Sequence, residues 1–321
     1  MKNYVMGIDF GSTTAKTVIL DVKGRIVASC VGNMGAVSDD GVKASVKGAL
    51  EQAGLTQEDI GRTVSTGYGR RMLEIADKNY TEITCHARGA VAMMPDARLV
   101  IDIGGQDSKV ISVDSNGLVA QFAMNDRCAA GTGKFLEVLA RAMQIELKDM
   151  GEIALQAKQK LKISSMCATF AETEVISLLA EGNDKPDVLG AVHTAIASRT
   201  VGLVSRVGKR GPVVMTGGVA KNVAAVKHIE ELLGMPIHLP PDPQIAGALG
   251  AALLALDDFR AMNKLPDFAE DDSIDDAMNV ARACGTGCKG SPTAGSSNPS
   301  WWSRLTKKNA AESNTAPESV K

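Results

Sequence analysis

Residues 9–27 read DFGSTTAKTVILDVKGRIV, and residues 102–120 read DIGGQDSKVISVDSNGLVA. At one constant offset the two stretches share two aspartates, two glycines and a lysine. The matching pairs are Asp9 with Asp102, Gly11 with Gly104, Lys16 with Lys109, Asp21 with Asp114, and Gly24 with Gly117. Five such matches at one offset are hard to obtain by chance, so the sequence predicts two copies of one structural unit.

Each copy has the pattern of a β-hairpin. An apolar run, residues 4–8 or 99–101, ends in an aspartate, turns through glycine with hydroxyl or amide residues, and resumes as a β-rich run. Glycine lets the backbone approach an anion closely, and an aspartate at a strand end can hold a hydrated Mg²⁺ ion. Two such turns facing each other would clamp a polyphosphate, whereas simple tight hairpins need no aspartate in both copies.

The paired motifs, together with residues 216–220 (TGGVA), resemble the phosphate and adenosine loops of the actin, Hsp70 and sugar-kinase ATPase superfamily. The resemblance implies an α/β fold in which two duplicated, ribonuclease H-like domains close over ATP or ADP. It assigns Gly11, Ser12 and Thr13 to the first phosphate loop, Gly104, Gly105 and Gln106 to the second, and Gly217 and Gly218 to the adenosine loop. Lys16, Val219 and Asn222 complete the nucleotide-binding set that the resemblance implies.

Composition and charge narrow the functional classes. The chain has 321 residues with 45% hydrophobic content, enough for a large core and two domains. A net charge of -2 and an aromatic content of 3% argue against a nucleic-acid-binding surface. The sequence shows no signal peptide and no apolar run long enough for a bilayer, so we expect a cytoplasmic protein without a membrane partner. Its six cysteines are then expected to be reduced thiols or cluster ligands.

Two of the cysteines stand where helices are predicted to begin. Cys128 lies in NDRCAAGTG (residues 125–133), and Cys167 lies in SSMCATFAE (residues 164–172). A helix N-terminus favours a thiolate or an anionic iron-sulfur cluster. A cubane cluster takes about four thiolates, which a two-fold dimer would supply. From spacing alone, two buried core cysteines remain an equally good interpretation.

A closer resemblance rests on the segments DIGGQDSK, NDRCAAGTGKFLEV, SSMCATFAETEVISLL, TGGVAKN, STGYGR and CHARG. These segments resemble the activators of 2-hydroxyacyl-CoA dehydratases, a family that also contains the ATPase subunits of benzoyl-CoA reductase. The resemblance covers residues 3–257, and it is specific because sugar kinases lack both cysteine segments. It implies a homodimer with one [4Fe-4S] cluster at the subunit interface, held by Cys128 and Cys167 of each chain.

The same resemblance implies ATP-dependent one-electron transfer. A ferredoxin or flavodoxin would reduce the cluster, and the electron would pass to a separate dehydratase, component D. Asp9 and Asp102 are expected to hold Mg²⁺ through water, with Lys16 near the phosphates. By analogy with other nucleotide hydrolases, Gln106 is the expected residue that orients the attacking water, with Asp107 as its rival.

Several alternatives stay open at this point. The chain could be the ATPase subunit of a benzoyl-CoA-type reductase, or a small-molecule kinase of the same fold that carries no iron. A chaperone or filament ATPase is disfavoured because the chain is short. Cys85 and His86 could form part of a metal site, although a packed helix start is the favoured interpretation. Cys284 and Cys288 are an incidental or accessory thiol pair on the favoured interpretation.

The predicted domain boundaries follow from these motifs. Residues 1–95 with 240–262 form ATPase domain I, and an Ala/Gly-rich helix over residues 245–256 returns the chain to it. Residues 96–239 form ATPase domain II, which carries the cluster cysteines. Residues 263–321 are acidic and then of low complexity, a composition that cannot bury much surface and that predicts a disordered extension.

Overall fold

The computed structural model describes residues 2–34, 39–125, 131–163 and 168–265. Both predicted cluster ligands, Cys128 and Cys167, lie outside these residues. So do Cys284 and Cys288, and with them the predicted extension from residue 266 onwards. The cluster assignment and the extension therefore stay predictions.

The first repeat forms a five-stranded mixed sheet. The central strand β1 pairs antiparallel with β2, which pairs antiparallel with β3, while β4 and β5 run parallel to β1 on its other side. The strands are β1 (Tyr4–Phe10), β2 (Thr14–Asp21), β3 (Ile26–Asn33), β4 (Ile60–Gly67) and β5 (Lys78–Asn79). The β1–β2 register places Asp9 opposite Lys16, so the repeated aspartate and lysine are direct neighbours across the hairpin.

The second repeat forms a second sheet of the same design. Its strands are β6 (Leu99–Ile103), β7 (Ser108–Val113), β8 (Val119–Asn125), β9 (Val213–Thr216) and β10 (Ile237–His238). Their order, β8-β7-β6-β9-β10, repeats the order and the strand directions of the first sheet. Asp102 lies opposite Lys109, as Asp9 lies opposite Lys16. The predicted duplication and the α/β fold class are confirmed.

Eight α-helices connect these strands within the described residues. They are α1 (Asp39–Ala53), α2 (Glu82–Met93), α3 (Gly133–Ala142), α4 (Met150–Ala154), α5 (Ala168–Ala180), α6 (Lys185–Val207), α7 (Val223–Leu233) and α8 (Ala246–Asn263). The helix predicted over residues 245–256 is confirmed as α8, which continues for two further turns. Short 3-10 turns occur at Gln57–Asp59, Arg70–Met72, Leu147–Asp149 and Gly218–Lys221.

Each repeat contributes its last helix to the other repeat's sheet. α2 follows β5 but packs through Ala87, Ala90 and Val91 on the second sheet. α8 follows β10 but packs on the inner face of the first sheet, against residues such as Val5 and Val64. α1 covers the outer face of the first sheet, and α3 to α7 cover the outer face of the second. The two inner helices therefore form the layers between the sheets.

The backbones of α2 and α8 touch each other. A Cβ atom on Gly89 would lie 1.9 Å from the carbonyl oxygen of Ala246, and one on Gly250 would lie 1.8 Å from that of Cys85. Only glycine permits such close approach. The two reciprocal contacts relate the helices by an approximate two-fold axis, which aligns residues 85–90 (CHARGA) with residues 246–251 (AGALGA). The duplication thus extends to the inner helices, with Gly247 at the position equivalent to His86.

α6 is the one helix of the described residues with the length and composition of a membrane span. Of its apolar window, 61% is buried inside the protein. Val188, Leu189 and Val192 pack into the core beneath the second sheet. Its hydrophobicity is therefore that of a helix in a protein core.

We expect Gly250→Ala to lower the free energy of unfolding by about 2–3 kcal/mol, because the added methyl group overlaps the Cys85 carbonyl and forces α2 and α8 apart. Gly202→Ala is the matched control, since Gly202 is an exposed residue within α6 with nothing near its Cβ position. That change should stabilise the protein by about 0.5–1 kcal/mol. Urea unfolding measures the free energy of unfolding of both variants. Equal changes in the two variants would contradict a close backbone contact at Gly250.

Candidate functional site

A cavity of about 590 Å³ lies between the two repeats, a size suited to a small ligand such as a nucleotide. Both aspartate-ended hairpin turns and the loop after β9 line it. Many of the site residues predicted from sequence line this cavity. Within the described part of the chain they are Asp9, Gly11, Ser12, Thr13, Lys16, Asp102, Gly104, Gly105, Asp107, Gly217, Gly218, Val219 and Asn222. The fold therefore brings together residues that lie far apart in sequence.

The two hairpin turns approach each other closely. A Cβ atom on Gly105 would lie 2.1 Å from the hydroxyl oxygen of Thr13, so a side chain there would close the space between the turns. Gly217, at the end of β9, adopts φ of 86° and would place a Cβ 2.3 Å from the carbonyl oxygen of Ile103. Glycine is thus required where the backbone borders the cavity.

Asp9 is almost fully buried at the end of β1. Lys16 donates a hydrogen bond to its Oδ2 at 3.0 Å. Burial acts to raise the pKa of Asp9, but the charges of Lys16 and His86 outweigh it and hold the pKa below its usual range. Asp9 therefore presents an ionised carboxylate to the cavity.

Asp102, the equivalent residue of the second repeat, is held by three side chains. Thr216 donates its hydroxyl proton to Oδ1 at 2.8 Å, and Nδ1 of His86 lies 3.2 Å from the same oxygen. Nζ of Lys109 lies 3.5 Å from Oδ2. Burial acts to raise the pKa of Asp102, but the charges of His86 and Lys109 hold it far below its usual range. This carboxylate is also ionised.

Lys109 is buried among carboxylates. Its Nζ lies 2.5 Å from Oδ2 of Asp107 and 3.1 Å from Oε2 of Glu82, in addition to its contact with Asp102. Burial acts to lower the pKa of Lys109, yet the three carboxylates raise it well above its usual range. Lys16 has a side chain that is 15% exposed, against 3% for Lys109. Both lysines line the cavity, and Lys16 is the more accessible of the two.

Gln106 and Asp107 occupy different environments. Gln106 is exposed at the β6–β7 turn and does not line the cavity in the described part of the chain. Asp107 is buried, lines the cavity and accepts a hydrogen bond from Lys109. Of the two rivals, Asp107 is thus the one that faces the ligand space.

Sequence reasoning missed two cavity residues on α2, Glu82 and His86. The sequence signal that could have identified them is their position at the start of the helix that connects the two repeats. Cys85 is packed rather than ligating: it is fully buried, and burial raises its pKa to about 12. Within the described residues, no group of three or more His, Cys, Asp or Glu side chains is arranged to hold a metal ion.

Apolar side chains also line the cavity. They are Leu136, Leu147 and Val219, and the charged residues Glu137, Glu146 and Lys148 lie beside two of them in sequence. Asn222 lines the cavity too, and its side-chain oxygen caps α7 by accepting the Ala225 N–H. Apolar and polar side chains next to two glycine turns suit a nucleobase joined to phosphates.

Two carboxylates of this cavity could hold a hydrated Mg²⁺ ion. Asp9 and Asp102 supply hard oxygen atoms, and both are ionised. Mg²⁺ keeps several of its waters and binds through one or two carboxylates plus substrate phosphates.

We expect Lys109→Met to lower the free energy of unfolding by about 3–5 kcal/mol, because it leaves buried carboxylates without their counter-ion. Lys16→Met is the matched comparison: it removes the partner of one carboxylate and not of three, so it should cost about 1.5–3 kcal/mol while weakening nucleotide binding. Chemical denaturation and calorimetric titration with ADP separate the two effects. A greater loss of stability in Lys16→Met would contradict the division of roles.

A family model described as the BadF/BadG/BcrA/BcrD ATPase family matches residues 6–255. The chain is 48% identical over 252 residues to the activator of lactoyl-CoA dehydratase from Anaerotignum propionicum, covering 78% of this chain and 97% of that protein. The match spans both repeats and the inner helices.

Two solved structures are similar to the whole described fold. Component A of the (R)-2-hydroxyglutaryl-CoA dehydratase from Acidaminococcus fermentans has a TM-score of 0.77 at 46% identity, covering 80% of this chain and 99% of that one. The activator of the 2-hydroxyisocaproyl-CoA dehydratase from Clostridium difficile, with bound ADPNP, has a TM-score of 0.78 at 42% identity, covering 82% and 98%. The fold is that of the actin, Hsp70 and sugar-kinase ATPases, as the paired motifs predict.

Proposed function

Because the chain belongs to the BadF/BadG/BcrA/BcrD ATPase family, we propose that it is an ATP-dependent one-electron activator of a 2-hydroxyacyl-CoA dehydratase. Its relatives at 43–48% identity are named as activators of such dehydratases or as an activating ATPase. ATP drives the transfer and no phosphoryl group is passed to a product. The acceptor is a separate dehydratase, component D, and the donor is a ferredoxin or flavodoxin in the cytoplasm.

The observation that carries this proposal is the attachment of α3 to the second phosphate turn. The N–H of Gly133 donates to the carbonyl of Gly104 at 2.9 Å, and the N–H of Lys134 donates to that of Gly105 at 2.8 Å. α3 begins five residues after Cys128 in the sequence. A change of ligand at the turn therefore acts on the start of this helix.

The second cysteine segment joins the same assembly. α5 begins at Ala168, directly after Cys167. Ala171 and Val175 of α5 belong to one hydrophobic core with Phe135 of α3. Because the two helices pack together, a shift of α3 is passed to α5. Both cysteine segments thus respond to the nucleotide.

We place the cluster ligands at Cys128 and Cys167, two from each subunit of a homodimer. The cluster, when bound, supplies low-potential one-electron chemistry. Support comes from α5, which exposes Phe170 (67%) and Ile176 (51%) close to Cys167 in sequence. A second copy packed over these apolar side chains would remove them from water and bring four thiolates together.

At the nucleotide, each side chain has a separate task. Lys16 meets the phosphates, and Asp9 and Asp102 hold the waters of a nucleotide-bound Mg²⁺ ion. Asp107 orients the attacking water, since it faces the cavity whereas Gln106 is exposed. The adenine lies beside Leu136, Leu147 and Val219, which line the cavity.

The electron-carrier proposal predicts about four irons per dimer in protein purified without oxygen, with a visible and EPR spectrum that ATP alters. Cys128→Ala and Cys167→Ala should each abolish the iron content while ADP binding persists. Cys30→Ala is the matched control, because this half-buried thiol lies in β3 on the first sheet. Full iron in both variants would overturn the cluster assignment, and a colourless, iron-free wild type that binds ATP would favour a small-molecule kinase.

The water-positioning proposal predicts that Asp107→Asn lowers the turnover number for ATP hydrolysis by about a hundredfold, because the amide orients water poorly. Gln106→Ala should hydrolyse ATP at close to the wild-type rate. Phosphate release and ADP affinity are measured for both variants, since Asp107 also contacts Lys109. A loss of turnover in Gln106→Ala alone would assign the role to Gln106.

A further inference from the structure

The imidazole of His86 stands between the two repeated carboxylates. Its Nδ1 lies 3.2 Å from Oδ1 of Asp102, on the second sheet. On its other side, a Cβ atom built on Gly247 would lie 2.9 Å from His86 Nε2 and 3.1 Å from Oδ2 of Asp9, on the first sheet. The Nε2 edge of the ring and the Asp9 carboxylate therefore border the same glycine. The His86 side chain therefore contacts Asp102 of the second repeat and faces Asp9 of the first repeat across Gly247.

This arrangement breaks the symmetry of the duplication. The approximate two-fold axis exchanges Asp9 with Asp102 and α2 with α8, and it places Gly247 at the position equivalent to His86. Two side chains at these equivalent positions would compete for one space. The chain has an imidazole on one helix and no side chain on the other. A single ring is thus shared by two carboxylates.

His86 has little freedom to move by itself. It is 7% exposed, and α2 is held against α8 by the glycine contacts and by the ion pair between Arg88 and Asp257 at 2.8 Å. Since α2 also packs on the second sheet, the ring is fixed relative to both sheets.

We propose that His86 is a positioning residue that sets the separation of Asp9 and Asp102, so that both carboxylates accept hydrogen bonds from the waters of one nucleotide-bound Mg²⁺ ion. The inference rests on the proposed nucleotide function and adds to it a residue that acts through the two carboxylates. Gly247 belongs to the same arrangement, because a side chain at this position would displace the ring of His86.

The test compares ADP affinity in excess Mg²⁺ with ADP affinity in EDTA, by calorimetry on the full chain. In the wild type, Mg²⁺ strengthens ADP binding. In His86→Gln and in Gly247→Ala the gain from Mg²⁺ should fall by about tenfold, while the affinity in EDTA stays nearly unchanged. A purely structural role would weaken both affinities equally. His228→Gln is the matched control, since His228 lies on α7 outside the cavity and should keep the full gain.

His86→Gln removes the ring and Gly247→Ala displaces it, so Gly247→Ala provides the test if His86→Gln does not fold. Urea unfolding checks that each variant is native. A wild type that binds ADP with a Mg²⁺-dependent gain, together with variants that keep this gain, would overturn the inference and leave the proposed function intact. A wild type that does not bind ADP would overturn both.

Discussion

The backbone contact between α2 and α8 is the constraint on which the rest of the molecule depends. Gly89 and Gly250 let the two helices approach until carbonyl oxygens occupy the space of absent side chains. Each helix covers one sheet, so this contact sets how the sheets face each other. The cavity lies between those sheets, with Asp9 and Asp102 on opposite sides of it. The contact at Gly89 and Gly250 therefore sets the relative position of the two hairpin turns that form the ligand site.

Duplication produced equivalent residues, and their surroundings made them different. Lys16 and Lys109 occupy the same register position in their hairpins. Lys16 remains partly exposed beside one aspartate, whereas Lys109 is enclosed by the carboxylates of Asp102, Asp107 and Glu82. A buried lysine with such partners keeps its charge. Lys109 therefore holds the carboxylates around it, whereas Lys16 is the more exposed of the two lysines that line the cavity.

Much of the fold and of the cavity could be predicted from sequence, because hairpins and glycine turns are encoded locally. The offset repeat predicted both sheets, and the glycine turns predicted where the cavity lies. The resemblance predicted that α8 returns to the first repeat, but the close contact of α8 with α2 could not be predicted, since it depends on residues far apart in sequence. For the same reason Glu82 and His86 were missed, and the exposed position of Gln106 became visible only in three dimensions. The roles of Cys128 and Cys167 remain predictions.

The exchanged helices also determine the order in which the chain can become compact during synthesis. The first sheet is complete once residue 79 has formed β5, yet the helix that covers its inner face starts at residue 246. Until then Val5, Val18 and Val64 have no α8 to pack against. A nascent chain carries this uncovered apolar surface while the whole second sheet is made, and such surfaces bind chaperones or aggregate. Final folding of the N-terminal half therefore waits for nearly the last described residues.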